Sequence, residues 1–461
     1  MTSQNHKPAN VIEGVVDRLF CVGCGVCAGL CPAACLEMTL KPSGDLQPVL
    51  SGDCTACGLC LRVCPFGGQD PGVGAVAQDL FAATEGIQYK DILGYVRQCH
   101  AGHVADEVQR RNAASGGLLT ETLAFLFEQG LIDAAAVVGR ETRNGLFCRY
   151  QVVESAEQAR RASGSAYYPV EVSDVLRRVR ESEKRWAIVA LPCLAYALRL
   201  AQRQVPALKD RIRYVLGLTC GTLPNHYFTE YMISLAGVDR SSVTAVRYRG
   251  KQGTTHSSDF YFEASSAAGN MGRPVLLTGM PLRLWAEGCF RVYACNFCED
   301  VFAETADMAF MDAWLPRYIQ DPGGTNIVLP RRRDMADLLW QMASVGRIRL
   351  EPLDPEEVLA SQKGAIDNKT RSVPLRMAWA GRAGRWYPPR RSVPQAGRLR
   401  DRLRWHCHRG LGWASKRVWV GVGRRLGCFA FHTALLPWRA GLLGLSVAGI
   451  AKRLLAKVLR R

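Results

Sequence analysis

Two short cysteine runs constrain this chain more than any other feature. Cys21-Val-Gly-Cys24-Gly-Val-Cys27-Ala-Gly-Leu-Cys31-Pro32 is followed by Cys54-Thr-Ala-Cys57-Gly-Leu-Cys60-Leu-Arg-Val-Cys64-Pro65. Each reads Cys-x2-Cys-x2-Cys-x3-Cys-Pro. Three thiolates at that spacing wrap a short loop around one 4Fe-4S cubane, and small residues such as Gly23, Gly25, Ala56 and Gly58 let backbone amides approach its sulfides. The fourth cysteine of each run serves the other cluster. The expected ligand sets are therefore Cys21, Cys24, Cys27 with Cys64, and Cys54, Cys57, Cys60 with Cys31. Zinc is the alternative, but a zinc site needs four ligands and does not explain a duplicated run ending in Cys-Pro. Cys35 lies outside both patterns and reads as a buried thiol.

A chain of 461 residues with 48% hydrophobic composition can bury a large core and divides into several domains. Its 18 cysteines would suit a secreted disulfide framework, yet residues 1–20 hold no uninterrupted apolar stretch of the secretory kind. The expectation is a cytoplasmic protein whose cysteine clusters ligate metal. Net charge is +18, unevenly spread. From Arg376 onward 20 Lys or Arg stand against one acid, Asp401, a net of +19 that leaves residues 1–375 at −1.

After a Gly- and Ala-rich stretch near residues 67–84 the pattern becomes α/β. Residues 118–129 form an almost wholly apolar helix, started near Ser115-Gly116-Gly117 and stopped by Gly130. Residues 134–138, 187–191 and 214–218 read as buried strands. The last two run into cysteine-bearing turns, Pro192-Cys193 and Thr219-Cys220-Gly221, and ligands collect at such strand ends in α/β domains. Ser115-Gly116-Gly117 is either a phosphate cradle built of backbone amides or a plain helix cap. Cys289, Cys295 and Cys298, with Cys220, suggest a third 4Fe-4S cluster; core cysteines or a zinc site are the alternatives.

These residues, in this order, resemble the coenzyme F420 hydrogenase/dehydrogenase beta-subunit family, iron-sulfur flavoproteins that include 7-hydroxymethyl chlorophyll a reductase-like proteins. The resemblance runs from the first cysteine motif to about Arg331. It rests on Arg110-Arg111 leading to Ser115-Gly116-Gly117, on Ala190-Leu191-Pro192-Cys193, on Gly217-Leu218-Thr219-Cys220 and on Tyr248-Arg249-Gly250-Lys251. It continues through Cys295 to Asp300, Ala306-Asp307, Met311-Asp312-Ala313-Trp314 and Gly323-Gly324-Thr325-Asn326. The resemblance implies FAD in the body, fed by the clusters, with Arg111, Ser115, Gly116, Gly117, Pro192, Cys193, Arg249 and Lys251 around flavin or its phosphates. Asp300, Asp307 and Asp312 match family positions, but no catalytic residue is assigned.

Beyond Arg376 the family pattern stops and the chain becomes rich in Arg and Trp. Ile450, Leu454, Leu455, Val458 and Leu459 occupy one half of a helical wheel, and Lys452, Arg453, Lys457 and Arg460 most of the other. Such a helix lies in an anionic membrane surface, as a peripheral attachment to its inner face. Residues 426–451 have spanning length, but Pro437 and Arg439 argue against a transmembrane helix. A disordered basic tail is the alternative, and nucleic acid is not an expected partner because the body has no base-reading motif.

The expected architecture is a multidomain α+β and α/β chain. A ferredoxin-type 2×4Fe-4S domain (1–75) precedes two α/β parts of a flavin-binding body (76–180 and 181–375) and a basic amphipathic helical extension (376–461). The expected function is an oxidoreductase taking electrons from ferredoxin or a partner subunit to an organic substrate or deazaflavin coenzyme. The alternative is a non-catalytic electron-transfer subunit.

Overall fold

The computed structural model describes residues 9–458 apart from 141, 143, 144, 252, 254, 268 and 282–286, with side chains as far as residue 445. The duplicated motif is visible in its backbone. Gly23 (φ 73°) and Gly25 (φ 80°) of the first run correspond to Ala56 (φ 51°) and Gly58 (φ 68°) of the second, all left-handed. Each loop then enters a short helix, Val26–Leu30 and Leu59–Arg62. Between them β1 (Leu36–Leu40) and β2 (Leu46–Leu50) form an antiparallel hairpin.

The linker continues through helix Val73–Phe81 and the small hairpin of β3 (Gln88–Lys90) and β4 (Gly94–Val96). The body then lays down β5 (Cys99–Val104), β6 (Ala134–Gly139), β7 (Arg149–Val153), β8 (Trp186–Ala190) and β9 (Ile212–Leu218). A second layer contains β10 (Val243–Gly250), β11 (Tyr261–Ser266) and β12 (Val275–Leu276), and the chain returns through β13 (Met308–Asp312), β14 (Asn326–Pro330) and β15 (Ile348–Leu353). One eight-stranded sheet results, ordered β15-β5-β14-β13-β9-β8-β6-β7. Its middle strands β13, β9, β8 and β6 run parallel, and both flanks are antiparallel.

The strand sequences explain this arrangement. Trp-Ala-Ile-Val-Ala in β8 and Met-Ala-Phe-Met-Asp in β13 are apolar without alternation, as strands covered on both faces must be. Helices Val26–Leu30, Ser173–Glu181 and Pro192–Gln204 pack on one face, and Leu118–Glu128 and Arg333–Ser344 on the other. The first cysteine helix is thus part of the main core, through Val26 and Leu30. Arg331, wholly buried, donates to the carbonyls of Phe302 (2.9 Å) and Ala306 (3.3 Å) and ties the end of β14 to the loop before β13.

The extension after Arg376 is integrated with this body, which excludes the disordered-tail alternative for the described part. Helix Val373–Arg382 runs through position 376 and buries Val373, Met377 and Ala380 against the cysteine unit. Helices Leu399–Val418 and Arg424–Val458 then fold back as a hairpin over helix His226–Ala236 and β10–β12. Leu411, Trp419, Phe431 and Leu435 are inside, each worth roughly 1.5–3 kcal/mol of burial. Glu230 clamps the hairpin, accepting from Trp419 Nε1 at 3.0 Å and from Arg424 Nε at 2.8 Å. Among the described residues no helix is long and apolar enough to cross a membrane. The side chains of the amphipathic stretch from Ile450 to Arg460 lie outside the described residues.

Candidate iron-sulfur and cofactor site

The first expected ligand set is assembled. Burial, and then the charges of Cys24, Cys21, Cys64 and Cys60, push the Cys27 thiol well up; Cys64 is pushed up by burial and the charges of Cys24, Cys21 and Asp70. Cys21 is raised to about 12 by burial, with Cys24 adding to it. Cys64 therefore faces the loop of the other run, as the crosswise rule requires. The second set borders one small cavity, lined by Cys31, Cys54, Cys57 and Cys60 together with Cys35 and Asn10. Equivalent amides point at equivalent sulfurs: Gly23 N to Cys21 Sγ and Ala56 N to Cys54 Sγ, both 3.4 Å. Cys54 and Cys57 are exposed, whereas none of the first set is.

Among the described residues no three His, Cys, Asp or Glu side chains are grouped so as to hold a single metal ion. Protonated thiols gain little from crowding in a buried place. Replacing their protons with a cluster's iron makes such crowding stabilising, and the residues fit that group.

A further group of thiols sits where β8 and β9 end, and it differs in one member from the expected one. Burial pushes Cys193 well up, followed by the charges of Cys298, Cys220, Cys24 and Cys295. Cys220, raised to about 11 by burial, has Cys295 and Cys298 beside it. Cys289 is not in this company. Its thiol is pushed up to about 12 by burial and by Glu287, and it lies in the core beneath the C-terminal helices. The chain turns away after it at left-handed Phe290 (φ 55°), whose carbonyl accepts from Asn225 N at 2.8 Å. The group brought together is Cys193, Cys220, Cys295 and Cys298; Cys289, expected beside Cys220, is placed in the neighbouring core cluster instead.

Lys369, which motif reading passed over, is buried against this group. Burial alone would lower its ammonium, but the charges of Cys220, Cys298, Cys295 and Asp300 outweigh that and hold it protonated. It donates to Asp300 O at 2.7 Å. Tyr150 is close to both sets: burial, and then Cys193 and Cys24, push its hydroxyl up, and it donates to Val189 O at 2.6 Å. A crevice opens beside Cys193 and Cys298, walled by Phe66, Tyr196 and Arg390 among others. Residues 390–392 strap the adjoining loop. Arg390 Nε donates to Phe297 O at 2.5 Å, Arg391 forks onto Glu304 at 2.9 and 2.5 Å, and Arg391 N donates to Glu299 at 2.9 Å.

The basic element of β10 reaches the Ser-Gly-Gly turn. Lys251 Nζ donates to Ser115 O at 2.8 Å, Arg110 O at 2.9 Å and Gly323 O at 2.6 Å. Burial, and then Arg249 and Arg110, bring Lys251 down to about 7. Arg249 forms a two-pronged pair with Asp312 at 2.9 and 2.8 Å and lies 4.3 Å above the Phe260 ring. Arg110, not Arg111, is the buried partner of Asp321; Arg111 is exposed. The helix start is capped: Leu118 N donates to Asn326 Oδ1 at 3.1 Å, and a Cβ on Gly116 would lie 2.7 Å from Gly102 O. Gly116 thus answers to backbone packing. Pro192 and Cys193 sit with the thiol group at the ends of β8 and β9.

Each matched aspartate has an assigned partner. Asp307 pairs with Arg199 at 2.7 Å and accepts from Val215 N at 2.7 Å at the start of β13. Asp300 accepts from Glu304 N at 3.1 Å, and Asp312 holds Arg249.

Residues 99–177 match the N-terminal part of the coenzyme F420 hydrogenase/dehydrogenase beta-subunit family, and residues 183–356 match the C terminus of the same beta subunit. Residues 14–69 match a 4Fe-4S dicluster domain. The chain is 27% identical over 221 residues to the F subunit of F(420)H(2) dehydrogenase from Methanosarcina mazei, covering 46% of this chain and 56% of that one. It is 21% identical over 272 residues to the beta subunit of coenzyme F420 hydrogenase from Methanothermobacter thermautotrophicus, covering 57% and 87%. With coenzyme F420-dependent sulfite reductase of Methanocaldococcus jannaschii it shares 26% over 247 residues, covering 50% of this chain and 35% of that protein. The chain thus spans only part of the first and third of these relatives. A chain of the F420-reducing [NiFe] hydrogenase complex from Methanosarcina barkeri superposes with a TM-score of 0.48 at 18% identity, over 63% of this chain and 96% of that one.

Proposed function

Because the chain belongs to the coenzyme F420 hydrogenase/dehydrogenase beta-subunit family and begins with a ferredoxin-type 4Fe-4S domain, we propose that it is an electron-transfer oxidoreductase using FAD. In this reading single electrons pass through 4Fe-4S clusters to the flavin and on to an organic substrate or a deazaflavin coenzyme. The observation that carries it is the continuity of thiol groups: Cys24 and Cys64 of the first set, Cys31 and Cys60 of the second, and Cys193 and Cys298 of the third all pack against one core cluster. Cys21, Cys24, Cys27 and Cys64 hold one cluster; Cys31, Cys54, Cys57 and Cys60 a second; Cys193, Cys220, Cys295 and Cys298 a third.

Flavin, when bound, supplies the exchange between one-electron and two-electron chemistry. Arg110 pairs with Asp321 and Glu107, Arg249 pairs with Asp312, and Lys251 stands beside them, a basic cluster that supports binding of a pyrophosphate or an anionic reduced flavin. An anion there would raise Lys251 from about 7 and fix it charged.

The electron donor is ferredoxin or a partner subunit; two of the three relatives are named as subunits, which supports the latter. The alternative, a non-catalytic electron-transfer subunit, has the same clusters without flavin. Leu426, Phe429 and Trp413 are exposed on the C-terminal hairpin with Arg400, Arg404, Arg417 and Arg425, and they support contact with an anionic membrane surface from the cytoplasmic side. Iron, sulfide and flavin are to be measured on anaerobically prepared protein. About twelve iron and one FAD per chain are expected. Iron without flavin leaves the electron-transfer subunit, and colourless protein defeats both readings.

A further inference from the structure

Cys35 belongs to neither motif, yet it stands inside the second set. Pro32, Ala33 and left-handed Ala34 (φ 49°) make a turn closed by Ala34 N donating to Cys31 O at 3.1 Å. The turn returns Cys35 alongside Cys31, with the two Sγ atoms 3.5 Å apart. Its backbone is fixed there, because Cys35 O accepts from Ser51 N at 3.0 Å just ahead of β1. Cys54 is its other sulfur neighbour. Five thiols, those of Cys31, Cys35, Cys54, Cys57 and Cys60, therefore face one cavity. The equivalent position of the other run, four residues after Cys64, is Gly68.

We propose that Cys35 is an interchangeable fourth ligand of the outer cluster, able to take the place of Cys31 on the same iron. Staggered wells at the cysteine side chain lie roughly 3 Å apart at sulfur, so one rotation covers the separation between the two thiols. In the exchange an Fe–S bond to Cys35 forms as its thiol proton leaves, and the bond to Cys31 breaks as that sulfur takes up a proton. No electron is transferred and the iron count is unchanged. The inference rests on the outer set holding a 4Fe-4S cluster.

The test is iron and sulfide per chain, with electron paramagnetic resonance of the reduced protein, on anaerobically prepared full-length wild type, C31A, C35A, C31A/C35A and C57A. C31A and C35A should each keep the wild-type iron count, with the outer-cluster signal of C31A shifted and the inner signal unchanged. C57A, which has no neighbouring replacement, and the double variant should each lose about four iron. C31A losing iron as C57A does, or the double variant keeping it, overturns the proposal. Should the double variant fail to accumulate, the comparison of C31A with C57A decides. Wild type without iron would instead remove the underlying cluster reading.

Discussion

The two cysteine loops share one spacing and one backbone, but their surroundings are opposite. The first is embedded. Cys24 O accepts from Val172 N at 2.9 Å, Gly25 packs against Glu171, and Val26 and Leu30 are part of the main core. The second ends at solvent, with Cys54 and Cys57 exposed and little around Gly58 but the tip of Arg62. Under the proposed function, identical ligand chemistry would serve two purposes: the inner loop would be structural as well as redox-active, and the outer loop a terminal from which electrons enter. Burial also protects, so the outer cluster should be the first lost to oxygen.

Single substitutions can break this comparison. The largest effect is expected for C27A against C57A: removing an inner ligand should cost roughly 5 kcal/mol or more, while removing an outer one should leave the fold standing. Anaerobic denaturation with parallel iron counts measures both, and equal losses would erase the distinction. Next comes R391A, which strips the cation from Glu304, a carboxylate with a side chain 1% exposed. About 4 kcal/mol should be lost, and R391A/E304L should recover part of it, since two apolar groups leave no stranded charge.

The motif-equivalent pair G25A and G58A sharpens the contrast further. Both glycines are left-handed, so both changes carry backbone strain of about 1 kcal/mol. At Gly25 the new Cβ would also lie 2.4 Å from Glu171 Oε2 and 3.0 Å from Val172 N, whereas at Gly58 it meets only Arg62 NH1 at 3.2 Å. G25A should therefore cost about 3 kcal/mol in thermal unfolding and G58A about 1. Comparable costs would mean that the inner loop is less confined than its contacts indicate.

The smallest effect concerns the C-terminal hairpin. Despite burial, hydrogen bonds from His226, Arg424 and Trp419 hold Glu230 down to about 2 from its ordinary 4.5. A carboxylate with a lowered folded pKa stabilises fully above 4.5, and that contribution fades as pH falls towards 2. On the order of 2 kcal/mol of hairpin docking should disappear across that window. Protection factors in helix His226–Ala236, exchange rates corrected for the intrinsic pH dependence of amides, should fall with acid in wild type and stay flat in E230Q; a parallel response of both would contradict the clamp.

What could be read from the amino acids follows a physical divide. The duplicated runs were legible because a cubane needs three thiols within a few residues, and local spacing is what a sequence displays. The buried strands were legible for a similar reason, since unalternating apolar runs can only be covered on both faces. Cys193 was not recognised as a partner of Cys220, because the two meet only after β8 and β9 pair in parallel. Lys369 carries no pattern at all; its meaning comes from the thiols that fold over it. The docking of the C-terminal segment was not legible either: Trp419, Phe431 and Leu435 stand in an arginine-rich stretch with no local sign of a partner, and they meet helix His226–Ala236 only in the folded protein.

The strap made by residues 390–392 has a practical consequence for anyone trimming this chain. Shortening it ahead of that point would remove the guanidinium that neutralises Glu304 and the amides that hold Glu299, and so would unroof the loop bearing Cys295 and Cys298. A truncated version that no longer binds vesicles would have lost its interior along with its tail. Acidic substitutions at outward-facing positions such as Phe429, which leave the roof in place, are the cleaner way to ask what the hairpin touches.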